Sequence, residues 1–221
     1  MNFKSISFYL SLFCFPITAL SIINILYASY FDYFLSIESY FATLIVSLLF
    51  GLGFYLFGRK ASKKINYIDQ LVLILMVYFI IGFLVSIPFY LSNFKLTFIS
   101  ALFESLSGLT GTGFSTFKNI MYLDPTLILW RSSSQWIGGL YFLFSIIFLI
   151  DIYDENFKKT LTNFISFDSS EVFKQAFKIF LLYSILTLLI FIVLNIFSIR
   201  SFNSLNLAFT LISSGGFLPV N

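Results

Sequence analysis

The sequence predicts an all-α, polytopic membrane protein, and three observations predict it. Charge is scarce: 13 Lys or Arg and 10 Asp or Glu make up 10% of 221 residues, against about 25% in a soluble domain. Apolar residues make up 59%, with 32 Phe, too many for a water-facing surface. The few charges also fall between long uncharged runs, at 5–31, 39–58, 70–94, 132–150 and 179–199. A helix needs about 20 residues to cross the hydrocarbon layer.

Those runs give five membrane helices, near 6–29, 38–57, 69–91, 126–151 and 176–199. The first is too long for the apolar core of a signal peptide, and no A-x-A site follows it. The second ends at a basic cluster, Arg59, Lys60, Lys63 and Lys64. With the N-terminus inside, the inner segments hold Lys4, that cluster, Lys158, Lys159, Lys174 and Lys178. The outer segments hold Lys95, Lys118, Arg131 and Arg200, so the bias favours a cytoplasmic N-terminus. The basic cluster reads as a topology anchor against membrane lipid. The loop from 151 to 178 mixes Asp151, Asp154, Glu155, Lys158, Lys159, Asp168 and Glu171, as a solvated connector would. A sixth uncharged window, 201–221, carries too many Asn, Ser, Thr and Gly for a lipid-facing span.

There is no His, and Cys14 is the only Cys. His general bases, His-bound zinc, thiolate clusters and an intrachain disulfide are thereby excluded. The cations form no basic patch, so nucleic acid is not an expected partner. An intramembrane hydrolase would need a nucleophile with a base, or paired carboxylates. Glu104 stands alone in its segment, and an enzyme is not expected.

The chemistry lies where the chain does not span. Between the third and fourth helices, Leu96–Leu109 is apolar but short; about 14 residues of helix reach only about 21 Å. The segment must enter and leave on one side. It ends in Thr110-Gly111-Thr112-Gly113-Phe114. Non-helical backbone at membrane depth is tolerated only where protein buries it or water lines it. Glycines let such a stretch turn its carbonyls inward, and a row of carbonyls can replace the hydration shell of a monovalent cation. The plain alternative is an external loop whose glycines serve packing.

A shift of 103 residues lays ALFESLSGLTGTGF (101–114) over SLNLAFTLISSGGF (204–217), with Gly113 on Gly216 and Phe114 on Phe217. Internal repeats of this kind are typical of transport folds. The first copy, followed after Asp124-Pro125 by LWRSSSQWIGG (129–139), resembles the first repeat of the Trk/Ktr/HKT superfamily of potassium transporters. It is most similar to the TrkH-type membrane subunit, whose two additional N-terminal helices it also matches.

The resemblance implies helix–pore loop–helix repeats of the potassium-channel-like type after two N-terminal helices, the second repeat incomplete here. It divides the chain into 1–66, 67–155 and 156–221. It implies filter residues Thr110, Gly111, Thr112, Gly113 and Phe114, then Ser213, Ser214, Gly215, Gly216 and Phe217, holding potassium as cargo without a bound cofactor. It further implies the cytoplasmic (inner) membrane, a homodimer, and a nucleotide-binding regulatory subunit of the TrkA type. Two loops cannot surround an ion, and the chain ends just past the second. The expectation is therefore a fragment of a four-repeat transporter. Gly215 stands where Thr or Ser is usual. The competing reading is a non-transporting scaffold with structural Gly-rich loops.

Several other residues carry expectations. Asp124-Pro125 reads as N-cap and first turn of the fourth helix. Arg131 lies two turns further in, and Glu104 is its expected partner, bracing one helix on another; the alternative is snorkelling to the interface. Trp130, Trp136 and Tyr122 read as interfacial anchors, and Gly138-Gly139 as a packing surface.

Overall fold

The computed structural model describes residues 2–61, 66–150 and 172–219. Lys63, Lys64 and the charged connector residues Asp151, Asp154, Glu155, Lys158, Lys159, Asp168 and Glu171 lie outside the described residues. The described chain is helical, without a strand: α1 (Phe3–Tyr30), α2 (Ile37–Gly58), α3 (Tyr67–Leu91), α4 (Phe98–Leu109), α5 (Pro125–Ile150), α6 (Val172–Ile196) and α7 (Ser201–Ile212). Short 3-10 turns at Phe34–Ser36 and Ile120–Tyr122 join α1 to α2 and α4 to α5.

Four of these helices are long and apolar enough to cross a membrane: 3–30, 34–58, 68–91 and 176–196. On α2 and α6 the burial is inverted relative to a soluble bundle. On α2 the buried stripe is Ser39, Tyr40, Thr43, Ser47 and Gly51, while Phe41, Ile45, Leu49, Leu52 and Leu56 are exposed. Small residues let the α1 and α2 backbones approach closely, and the large apolar ones face lipid. Thr18 and Ser47 share a buried hydrogen bond of 2.9 Å across that seam. On α6, Leu181, Leu182, Ile185, Leu188 and Leu189 are exposed in the same way. The chain is a multi-pass membrane protein.

The fifth expected span, α5, is 26 residues long, about 39 Å at 1.5 Å per residue. It is not apolar throughout, because Arg131-Ser132-Ser133-Ser134-Gln135 occupies its first half. All five are buried. That polarity is buried against protein rather than faced to lipid. The helix begins as its sequence dictates: Asp124 Oδ1 accepts the Thr126 N–H at 2.9 Å, with Pro125 in the first turn.

The window 201–221 is not a span. Its helix, α7, has 12 residues, as many as α4, or about 18 Å of rise. Both short helices follow a long helix through the same kind of corner. Lys95 and Ser198, which stand 103 residues apart, have φ of +50° and +61°. Their N–H groups bond Ser92 O at 3.3 Å and Asn195 O at 2.9 Å, again in the same register.

Candidate functional site

The two short helices end alike. After α4, the Gly111 N–H bonds Gly108 O at 3.1 Å and the Thr112 N–H bonds Ser107 O at 3.0 Å. After α7, the Ser214 N–H bonds Leu211 O at 3.1 Å and the Gly215 N–H bonds Thr210 O at 2.8 Å. These are two Schellman caps, each turning on one left-handed residue: Gly111 at φ +67° and Ser214 at φ +54°. The chain then extends, and a hydroxyl ties its far end back to the helix. Ser107 Oγ donates to Phe114 O at 2.6 Å, and Thr210 Oγ1 to Phe217 O at 2.8 Å. Every one of these pairs keeps the 103-residue shift.

Between those ties lie Thr110–Gly113 and Ser213–Gly216. Among the described residues, none of their carbonyls accepts a hydrogen bond. The two segments meet at their glycines. A Cβ on Gly113, whose φ is +77°, would lie 2.4 Å from Gly216 Cα and 2.7 Å from Gly216 N. No L side chain fits there. The negative ends of the α4 and α7 dipoles abut the same place, which favours cations. Thr110 and Thr112 share a hydroxyl hydrogen bond of 2.7 Å and are exposed. The closing aromatics differ: Phe114 is 69% exposed, whereas Phe217 is 2% exposed.

Helix α5 packs against both short helices, and most residues of its WRSSSQWIGG stretch meet a neighbour outside the helix. Trp130 Nε1 donates to Val85 O on α3 at 3.0 Å. Arg131 Nε meets Glu104 Oε1 on α4 at 2.9 Å. Ser132 donates to Asn206 on α7. Gln135 Oε1 accepts the Phe217 N–H at 3.3 Å. Trp136 Nε1 donates to Thr187 on α6 at 3.0 Å. A Cβ on Gly138 would lie 2.2 Å from Leu109 O, and one on Gly139 would lie 2.9 Å from Ser213 Cβ. Two adjacent glycines thus each receive the end of one short helix.

The tryptophans therefore depart from the interfacial reading. Trp130 is fully buried, and Trp136 packs at a tilt against Tyr183 and Phe209, with ring centroids at 5.4 Å and 5.6 Å. Their indole N–H groups are satisfied by protein, so neither needs headgroup water. Only Tyr122 is exposed as an interfacial residue would be.

Arg131 and Glu104 are 1% and 0% exposed, so Arg131 does not snorkel. Glu104 also accepts from Ser115 Oγ at 3.0 Å, Thr116 N at 2.8 Å and Thr116 Oγ1 at 3.1 Å. The Arg131 guanidinium lies 4.1 Å from the centre of the Phe217 ring. One ion pair thus fastens the residues just past the first Gly-rich segment and the aromatic that closes the second. The sequence pointed to this pair and to the glycines. Gln135 lies in the motif that carries the resemblance, but the sequence assigns no role to it or to Asn206, Ser115 or Thr116; Ser107 and Thr210 could have been found as hydroxyls at matching positions of the repeat.

No protein-family model matches the chain. An uncharacterized cation transporter of Methanocaldococcus jannaschii is 28% identical over 78% of this chain and 37% of its own length. The Trk system potassium uptake protein TrkG of Escherichia coli is 29% identical over 48% of this chain and 22% of its own. TrkH of Escherichia coli is 29% identical over 44% of this chain and 20% of its own. The chain thus spans well under half the length of these relatives. Among solved structures, the potassium transporter TrkH from Vibrio parahaemolyticus superposes with a TM-score of 0.81 at 20% identity, over 99% of this chain and 45% of that one. The chain is a homologue of the Trk potassium uptake proteins and carries the TrkH fold.

Proposed function

We propose that the chain contributes two sides of a potassium-selective filter to an uptake pathway across the cytoplasmic membrane, with its N-terminus inside. The observation that carries the reading is the pair of segments 110–113 and 213–216. Each follows an identically capped short helix, each leaves its carbonyls without a hydrogen-bond donor, and the two meet at Gly113 and Gly216. Carbonyl oxygens of Thr110, Gly111, Thr112 and Gly113, with Ser213, Ser214, Gly215 and Gly216, would replace part of the hydration shell of potassium. Phe114 and Phe217 close the segments. Their carbonyls are held back on Ser107 and Thr210, and their backbone fixes where each filter strand ends.

Glu104 and Arg131 support the site without touching the ion. Two segments give a dehydrated cation ligands on one flank only, so further loops must complete the ring. In this reading those loops lie in a longer polypeptide that includes the parts 1–66, 67–155 and 156–221. An inside-negative potential drives the ion inward with about 2.3 kcal/mol per charge per 100 mV. Association as a homodimer, and control by a cytoplasmic nucleotide-binding subunit of the TrkA type, belong to the same reading.

The test is uptake of radioactive rubidium by cells lacking their own potassium uptake and expressing the full-length gene product. Uptake is expected with the native sequence and not with Gly113→Asp. Flat uptake in both, with the protein present in the membrane, refutes transport. Full uptake with Gly113→Ser would refute the filter role of this segment and leave its glycines structural.

A further inference from the structure

We propose that Gln135 is a positioning residue for the second Gly-rich segment, and that position 215 is glycine to make room for it. The functional part of this inference rests on the transport reading above.

Three of the four matched positions differ, Thr110/Ser213, Gly111/Ser214 and Thr112/Gly215, and the third is the one that meets Gln135. In the first, Thr112 carries a side chain that is exposed and shares its hydroxyl with Thr110. In the second, the equivalent residue is Gly215, and the Gln135 carboxamide occupies the volume its side chain would need. A Cβ there would lie 2.4 Å from Gln135 Cδ, 2.5 Å from Oε1 and 2.6 Å from Nε2. Those distances are far inside contact, and the obstacle is not free to swing away. Gln135 is 0% exposed. Its neighbour Trp136 is anchored on Thr187, and one turn later Gly138 and Gly139 lock α5 against both short helices.

The same carboxamide grips the segment two residues on, where Oε1 accepts the Phe217 N–H at 3.3 Å. Gln135 therefore lies flat on the backbone at 215 and holds it at 217, setting the carbonyl directions between. The arrangement is costly in one respect: Nε2 is buried without a partner among the described residues. An apolar side chain of similar size would fill the volume without burying an amide donor of its own. What an apolar side chain could not do is accept the Phe217 N–H. The glycine that looks anomalous beside the usual Thr or Ser is thus one half of a matched pair whose other half is on α5.

The test is an exchange, made in the full-length gene product, of Gln135→Ala, Gly215→Ser and the double variant. Rubidium uptake is measured for KM, maximal rate and competition by sodium, beside thermal stability of the purified proteins in detergent. Each single variant is expected to raise the rubidium KM roughly tenfold and to weaken discrimination against sodium, with a smaller loss of maximal rate. In the double variant the space vacated by the carboxamide takes the Ser side chain, and KM and stability should recover to within a few-fold of native. Gly215→Ser behaving as native while Gln135 is intact would overturn the proposal. So would a double variant no better than Gly215→Ser in either readout. If the native protein itself carries no rubidium, the transport reading fails, and the stability cycle alone decides. Non-additive recovery then upholds the Gln135–Gly215 pairing, and additive losses refute it.

Discussion

Removing Glu104 should be among the most damaging single changes in this molecule. Glu104→Ala leaves the Arg131 guanidinium charged, 1% exposed and without its carboxylate. Breaking one side of a buried ion pair costs about 3–5 kcal/mol. It also strips the acceptor from Ser115 Oγ, Thr116 N and Thr116 Oγ1. At about 2–4 °C per kcal/mol for a chain of this length, the midpoint of thermal unfolding should fall by roughly 6–20 °C. Purified protein in detergent, followed by loss of the folded peak on size exclusion after heating, reads this directly. Replacing both partners by apolar residues, Glu104→Leu with Arg131→Met, removes the unpaired charge. The remaining cost should then be about 1–3 kcal/mol, from the orphaned Thr116 N–H. The double variant should be more stable than Glu104→Ala although it carries more changes. Exchanging the two charges should not restore stability, because an arginine at 104 cannot accept from Thr116 and a glutamate at 131 cannot stack on Phe217. A loss below about 1 kcal/mol for Glu104→Ala would refute the reasoning, since a buried pair cannot be that weakly coupled. So would a double variant as damaged as the sum of its singles.

Other expectations concern the glycines and caps. Gly138→Ala places a methyl 2.2 Å from Leu109 O and should cost about 1–3 kcal/mol in thermal stability. Gly53→Ala, with nothing within 4 Å, should be neutral or stabilising by up to about 1 kcal/mol. Ser214→Gly relieves a left-handed non-glycine residue at φ +54° and should stabilise by about 0.5–1 kcal/mol, read by the same assay. Thr210→Val frees the Phe217 carbonyl from its 2.8 Å hydroxyl bond. It should cost about 1 kcal/mol and, in an uptake assay, raise the rubidium KM.

Much of this architecture is legible in the sequence because lipid imposes a coarse rule. Charges punctuate the spans, and the 103-residue register is visible from Gly113-Phe114 and Gly216-Phe217 alone. Asp124-Pro125 announces the start of α5 by cap chemistry that needs no tertiary information. Glu104 was identifiable as the partner of Arg131 because no other carboxylate lies at that depth in the neighbouring segment. Trp130, Trp136 and Gln135 mark where such reading stops. A polar or amphipathic side chain in an apolar run can face headgroups, water or protein, and composition is the same in all three cases. Only packing shows that Trp130 reaches Val85 and that Gln135 lies on Gly215. The Gln135–Gly215 match couples residues 80 positions apart, and although Gly215 looks unusual by itself, nothing in the sequence ties it to Gln135.

The buried polarity of α5 also bears on how the chain enters the bilayer during synthesis. An arginine at the centre of a helix adds about 2.5–3.5 kcal/mol to the cost of lateral release into lipid, and less nearer the end; Arg131, two turns into α5, is followed directly by Ser132, Ser133, Ser134 and Gln135. Glu104 emerges from the ribosome first and can neutralise that charge as soon as α5 appears. The partners of Ser132 and Gln135, Asn206 and Phe217, are made more than 70 residues later. Helix α5 is thus born with half of its polar face unanswered. It is a segment to be retained beside the translocon, or shielded by an insertion factor, until α7 arrives to complete it.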